Sequence, residues 1–264
     1  MSSAAPALPR FDLLGVPLTG TRLETAVSAI LGFCRDGGRR YVCVFAVDSL
    51  LKCQDDPRLA AIARDSAMTL CDGMPLVLAG RRFGRLDVTR CYGPDVMLAV
   101  ADAGRAQGLR HYFYGGSDEE TLALLRSNFA KKFPGIVDAG GEVPPFHPLS
   151  DAERAETAAR INAARPDVVW VGIGTPKQDF WVSEMRPFLD APLLVAVGAA
   201  FNFHAGKVSQ APVWMRRHCL EWLYRLCVEP RRLWRRYLIG NPRFLFLVLK
   251  QFVTRRPVPL GSRS

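Results

Sequence analysis

Short apolar runs alternate with longer amphipathic stretches along most of this 264-residue chain. Runs rich in Val, Phe, Tyr and Trp, at 41–47, 111–114, 167–173 and 192–197, read as buried β-strands. Between them, residues 21–34, 94–107, 118–133, 151–164 and 176–189 carry apolar positions at helical spacing. Ser117 ahead of Asp-Glu-Glu, and Ser150 with Glu153 three residues on, are start signals for two of those helices. The alternation predicts an α/β fold, a Rossmann-like, mostly parallel sheet flanked by helices. Ligands of such sheets bind outside the C-terminal strand ends, so the residues that follow each strand are the ones to weigh.

The pattern changes after Gln210. Residues 212–239 mix Trp, Leu, Tyr and Arg in one or two helices, and Gly240-Asn241-Pro242 reads as a break, with Asn241 and Pro242 as a fresh cap and first turn. The segment RFLFLVLKQFV that follows is apolar on nearly every face. The expected organisation is an α/β catalytic domain over 1–211 and a helical appendage over 212–264.

Composition sharpens that division. Hydrophobic residues at 49% and charged residues at 23% exclude a disordered chain or a coiled coil. From Pro212 onward the chain carries 12 Lys and Arg against 2 Asp and Glu, while the preceding 211 residues are balanced, so the net charge of +10 belongs to the tail. Seven cysteines, odd in number and without a CxxC pair, suit free thiols in a reducing compartment. No basic and then apolar leader opens the chain. The longest uncharged stretch, 191–206, is 16 residues, short of the roughly 20 a spanning helix needs.

Four strand ends carry candidate chemistry. In Cys71-Asp72-Gly73-Met74, Asp72 stands at the rim, where a carboxylate can act as a general base; from position alone, capping the next helix is the simpler role. In Thr89-Arg90-Cys91-Tyr92-Gly93-Pro94, Arg90 precedes a helix entry, where a guanidinium can pair with phosphate oxygens, although most arginines are merely solvated. Gly115 and Gly116 allow a close backbone approach to a ligand, or an ordinary turn. Gly172-Ile173-Gly174-Thr175-Pro176-Lys177-Gln178-Asp179 runs from strand through a glycine turn to a helix start with several polar side chains. It is neither GxGxxG nor a P-loop, which weighs against a nicotinamide oxidoreductase and an ATPase. Asn202 and His204 follow the last strand, the histidine reading more simply as a structural hydrogen-bonder. GxSxG and HExxH are both absent.

Together CDGMPLVLAGRRFG from Cys71, TRCYGPD from Thr89, VGIGTPKQDFW from Val171 and the long stretch GAAFNFHAGKVSQAPVWMRRHCLEWLYRLCVEPRRLWRRYLIGNPRFL from Gly198 resemble the WecG/TagA/CpsF glycosyltransferases, glycosyltransferase family 26, over roughly residues 11–252. The resemblance implies an inverting transfer from a UDP-sugar to a polyprenyl-diphosphate-linked saccharide at the cytoplasmic membrane face, without a metal or other cofactor. It implies Asp72 as the base, and Arg90 and Gln178 as holders of the donor diphosphate; from their place after the strands, Gly115, Gly116, Gly174, Thr175, Pro176, Asp179 and Asn202 are further expected donor contacts. Two departures stand out: the usual Thr-x-Asn is Val44-Phe45-Ala46 here, and the usual Phe-Asp-Phe is Phe201-Asn202-Phe203. With Val44 and Ala46 in the donor-sugar pocket, a neutral hexose such as glucose, as in xanthan-type exopolysaccharide assembly, becomes the expected donor, with N-acetylmannosamine or its uronic acid as the alternative.

Arg216, Arg217, Arg225, Arg231, Arg232, Arg235 and Arg236 are interleaved with aromatics, a composition suited to an anionic bilayer surface and to diphosphates. The all-round apolar segment favours lipid over nucleic acid as the partner. A non-catalytic nucleotide- or nucleic-acid-binding protein is the competing class. The expected location is peripheral, on the inner face of the cell membrane, with self-association left open.

Overall fold

Side-chain alternation in the apolar runs builds a sheet buried on both faces, which parallel strands with helical crossovers require. The computed structural model describes residues 8–254, the Arg217 side chain excepted. A hairpin of β1 (Arg10–Leu13) and β2 (Val16–Thr19) leads into α1 (Leu23–Phe33), β3 (Arg40–Phe45), α2 (Val47–Asp55), α3 (Pro57–Asp65), β4 (Met68–Cys71), α4 (Met74–Arg82) and α5 (Gly93–Gly104). Then come β5 (Arg110–Gly115), α6 (Glu119–Lys132), β6 (Val137–Glu142), α7 (Asp151–Ala163), β7 (Val168–Gly172), α8 (Lys177–Met185), β8 (Leu193–Ala196) and α9 (Ala200–His204). The described residues end in α10 (Val213–Arg217), α11 (Glu221–Val228), α12 (Pro230–Trp234) and α13 (Gly240–Thr254).

Six strands form one sheet in the order β4-β3-β8-β7-β5-β6, every pair parallel. The fold is thus the Rossmann-like α/β sheet that the sequence predicts, and all six C-terminal strand ends share one edge. On β3, Cys43 and Phe45 face the core under α2, α3 and α8, while Val42 and Val44 face the core under α1, α5, α6 and α9. Trp170 on β7 is fully buried and donates its indole N–H to His111 Nδ1 at 3.0 Å. Burial lowers the His111 pKa to about 4, so the ring stays a neutral acceptor.

Two local expectations change. The cap of α6 is Asp118, which accepts from the Thr121 N–H at 2.7 Å; Ser117 bonds to side chains instead. The Ser150–Glu153 capping box of α7 forms as expected. Gly240-Asn241-Pro242 is no break: helix runs from Pro230 to Thr254 through a five-residue π-turn at Arg235–Ile239. Pro242 supplies no N–H and crowds the preceding turn, and the wider π-turn just upstream takes up that misfit without ending the helix. The hairpin β1–β2, the helices α2 and α3, and the edge strand β6 were not predicted as elements.

The α13 helix is half docked and half bare. Phe244 is buried in the core, Gln251 bonds to Leu14 and Asp12, and Arg243 pairs with Asp55. Leu245, Phe246, Leu249 and Val253 form an exposed apolar stripe continued by Leu238 and Ile239. Among the described residues no helix is long and apolar enough to cross a membrane. All seven cysteines are free thiols.

Because Trp170 fills the middle of the sheet, Trp170→Ala is expected to cost about 3–5 kcal/mol in urea unfolding. A loss below about 1 kcal/mol would show that the sheet centre is not where stability resides.

Candidate active site

The shared C-terminal edge of the sheet forms the floor of two adjoining cavities, and α10–α13 with the π-turn form their roof. The larger, about 870 Å³, is lined from below by Val44, Ala46, Gly116, Gly174, Thr175, Gln178, Gly198 and Asn202, and from above by Arg225, Arg232, Arg235, Arg236 and Arg243. The smaller, about 350 Å³, holds Asp72, Gly73, Met74, Pro75 and Arg90 below, with Arg216, Glu221, Trp222, Tyr237, Phe244 and Leu245 above. Ala46, Asp48, Asp72, Arg225 and Arg236 line both.

Glycine shapes the floor where β5 meets β7. At Gly115 (φ +139°) a Cβ would lie 2.6 Å from the Gly172 carbonyl oxygen, so only glycine lets the two strand ends run this close beneath the cavity. Gln178 ties two neighbouring loops: its Oε1 accepts from the Gly198 N–H at 2.8 Å and its Nε2 donates to Thr175 Oγ1 at 3.3 Å. Lys52 on α2 donates to the Thr175 carbonyl at 3.0 Å and pairs with Asp48 at 2.9 Å.

Asp72 does not cap α4. The N-cap is Gly73, without a side-chain bond. The Asp72 carboxylate receives Arg90 Nη2 at 3.2 Å, and Arg90 Nε donates to the Asp72 carbonyl. The same Nη2 lies 2.6 Å from Glu221 Oε2, and the guanidinium sits 4.2 Å over the Tyr92 ring. Burial pushes the Asp72 pKa up to about 6 despite Arg90, and the negative charge of Glu221 adds to the rise. A carboxylate poised near neutrality, open to two cavities and held by one arginine, suits proton abstraction from a bound hydroxyl.

Several residues named from the sequence stand elsewhere. Asp179 is fully buried beneath the Thr175 loop and lines neither cavity; burial drives its pKa up to about 7 against the Thr175 hydroxyl and Lys52. The α8 helix turns Lys177 and Gln178 toward the cavity and Asp179 into the protein, which the run of letters does not reveal. Gly115, Pro176 and Arg231 line neither cavity. Arg90 belongs to the smaller cavity, not to the larger one that Gln178 and Asn202 line. The Arg217 side chain lies outside the described residues. His204 is structural: Nε2 is 3.0 Å from the Pro94 carbonyl and burial lowers its pKa to about 4. Glu221 and Asp48 enter the site without having been singled out. Glu221 lies inside the quoted HCLEWLYRL stretch, and Asp48 sits just past the β3 end, so strand-end position was a usable signal for the second.

A parallel sheet whose rim carries a carboxylate between two cavities, under a roof of arginines, can bind an anionic group and take up a proton beside it. The comparisons with known proteins give the class. The model of the glycosyl transferase WecG/TagA/CpsF family matches residues 11–258. The N-acetylglucosaminyldiphosphoundecaprenol N-acetyl-beta-D-mannosaminyltransferase of Bacillus spizizenii is 31% identical over 198 residues, 74% of this chain and 73% of that one. This chain belongs to the WecG/TagA/CpsF family and is a glycosyltransferase.

Proposed function

We propose that the protein moves N-acetylmannosamine from its UDP-sugar to a polyprenyl-diphosphate-linked N-acetylglucosamine, with the donor in the larger cavity and the acceptor in the smaller. The observation that carries this reading is Asp72 lining both cavities. An acceptor hydroxyl in the smaller cavity gives its proton to Asp72 as its oxygen attacks the anomeric carbon. The bond from that carbon to the diphosphate breaks, and UDP leaves on the far side with inversion. Arg225, Arg232, Arg235 and Arg236 compensate the charge that develops on the leaving diphosphate, so the reading needs no metal.

The name of the Bacillus spizizenii relative supports the N-acetylmannosamine donor over the glucose expected from the sequence. Glucose remains a second reading because Val44, Ala46 and Asn202, the positions where this chain departs from the family pattern, all line the larger cavity. Transfer assays with both UDP-sugars, in EDTA, separate them. The proposal expects N-acetylmannosamine transfer that persists in EDTA; glucose transfer alone would establish the second reading, and loss in EDTA would contradict the metal-free part.

As a base, Asp72 must be ionised. The rate is therefore expected to fall as pH drops through about 6, the raised value of this carboxyl. Asp72→Asn should lower transfer by about 10²–10⁴-fold while UDP still binds. An unchanged rate in that variant would remove Asp72 from the chemistry.

The bare stripe on α13, flanked by arginines, fits a peripheral position on the anionic inner face of the cell membrane, where a lipid-linked acceptor is found. Leu249→Glu with Val253→Glu should weaken binding to phosphatidylglycerol vesicles at least about tenfold, since each side chain loses apolar burial worth about 1.5–3 kcal/mol. Unchanged sedimentation with vesicles would place the membrane-facing surface elsewhere.

A further inference from the structure

Glu221 opens α11 and reaches from the C-terminal helices to the rim of the sheet. Its Oε2 is 2.6 Å from Arg90 Nη2, the nitrogen that also holds Asp72. The three side chains are only 16%, 18% and 24% exposed for Glu221, Arg90 and Asp72, so this is not a solvated surface pair. One helical turn on, Arg225 lies on the same face of α11 and lines both cavities, so the helix delivers a carboxylate and a cation to the site together. Glu221 itself lines only the smaller cavity, and therefore does not meet the donor's reacting carbon.

We propose that Glu221 is a positioning residue of the transfer: its carboxylate holds the Arg90 guanidinium in place beside Asp72, and so ties the base to the first turn of α11. This rests on Asp72 being the base. Arg90 is the only side chain within hydrogen-bonding reach of the Asp72 carboxylate among the described residues, and Glu221 shares its Nη2, so the position of that nitrogen is set by both carboxylates.

The charges around Asp72 fix the sign of the effect. It shares its cavities with Arg90 from the loop before α5, Glu221 and Arg225 from α11, Arg216 from α10, Asp48 from α2 and Arg236 from the π-turn. The buried Cys71, Cys91 and Tyr92 are held neutral by burial. Glu221 raises the proton affinity of Asp72, whereas Arg90 and Arg225 lower it. Glu221→Gln removes one negative charge without changing shape, so Asp72 should titrate at lower pH.

The test is a carbon-13 NMR titration of the Asp72 carboxyl, assigned with Asp72→Asn, in the wild type and in Glu221→Gln, alongside the pH profile of transfer. The proposal expects the Asp72 midpoint and the acid limb to move together to lower pH. It expects kcat to fall about tenfold to a hundredfold while the Kd for UDP changes less than about threefold. Glu221→Asp, which keeps the charge, should retain the wild-type midpoint and recover part of the rate; it also serves if Glu221→Gln does not fold. An unmoved Asp72 midpoint in a folded variant overturns the proposal, whether or not the rate falls. If the wild type transfers no sugar, the functional reading fails, and the NMR shift still decides the role of Glu221.

Discussion

The Arg90 guanidinium meets the Asp72 carbonyl through Nε and the carboxylates of both Asp72 and Glu221 through Nη2, and so joins the rim of the sheet to the C-terminal helices above it. A cation this far from water must keep its counter-charges, because an unpaired buried charge is costly. The contact seats the roof over the strand ends together with the buried Leu233, Tyr237 and Phe244, and lies where the two cavities adjoin. Other pairs across the same seam repeat the pattern more weakly: Arg236 lies 3.7 Å from Asp48 and Arg216 4.0 Å from Asp95. Where the tail's positive charge goes is thereby explained in part. Some of it neutralises carboxylates on the body, and the rest faces the larger cavity, where a diphosphate would bring negative charge.

The sheet was legible where burial on both faces demands unbroken apolar runs, as in Tyr41–Phe45 and Val168–Val171. It was not legible at β6, Val137–Glu142, an edge strand with one partner and two glycines, whose side chains are only partly buried. The hairpin β1–β2 escaped because its strands, Arg-Phe-Asp-Leu and Val-Pro-Leu-Thr, are short and interrupted by charged residues or a proline, unlike the equally short apolar β8. Pro242 misled because a proline signals a helix end only when the chain does not widen a turn to accept it.

Site residues divide along similar lines. Strand-end position anticipated that Asp72, Gly116, Gly174, Gln178 and Asn202 line the cavities, since a parallel sheet brings all its strand ends to one edge; position alone pointed to a helix cap for Asp72, and the role of base came from the family resemblance. Spacing could not show that Asp179 turns inward, since one helical step of about 100° separates a rim residue from a buried one. Nor could it pair Glu221 with Arg90, because their meeting depends on how the C-terminal helices lie across the sheet. Sequence identifies the groups on each loop more readily than the contacts between distant elements.

The central claim is that Asp72 stands between a donor in the larger cavity and an acceptor in the smaller. A crystal structure of the Asp72→Asn enzyme with UDP and a short-chain polyprenyl-diphosphate-linked N-acetylglucosamine tests it most directly. The account predicts UDP beneath Arg225, Arg232 and Arg236, with a sugar hydroxyl of the acceptor within about 3.2 Å of the residue 72 side chain. Both ligands in one cavity, or an acceptor whose hydroxyls all lie beyond reach of residue 72, would contradict it.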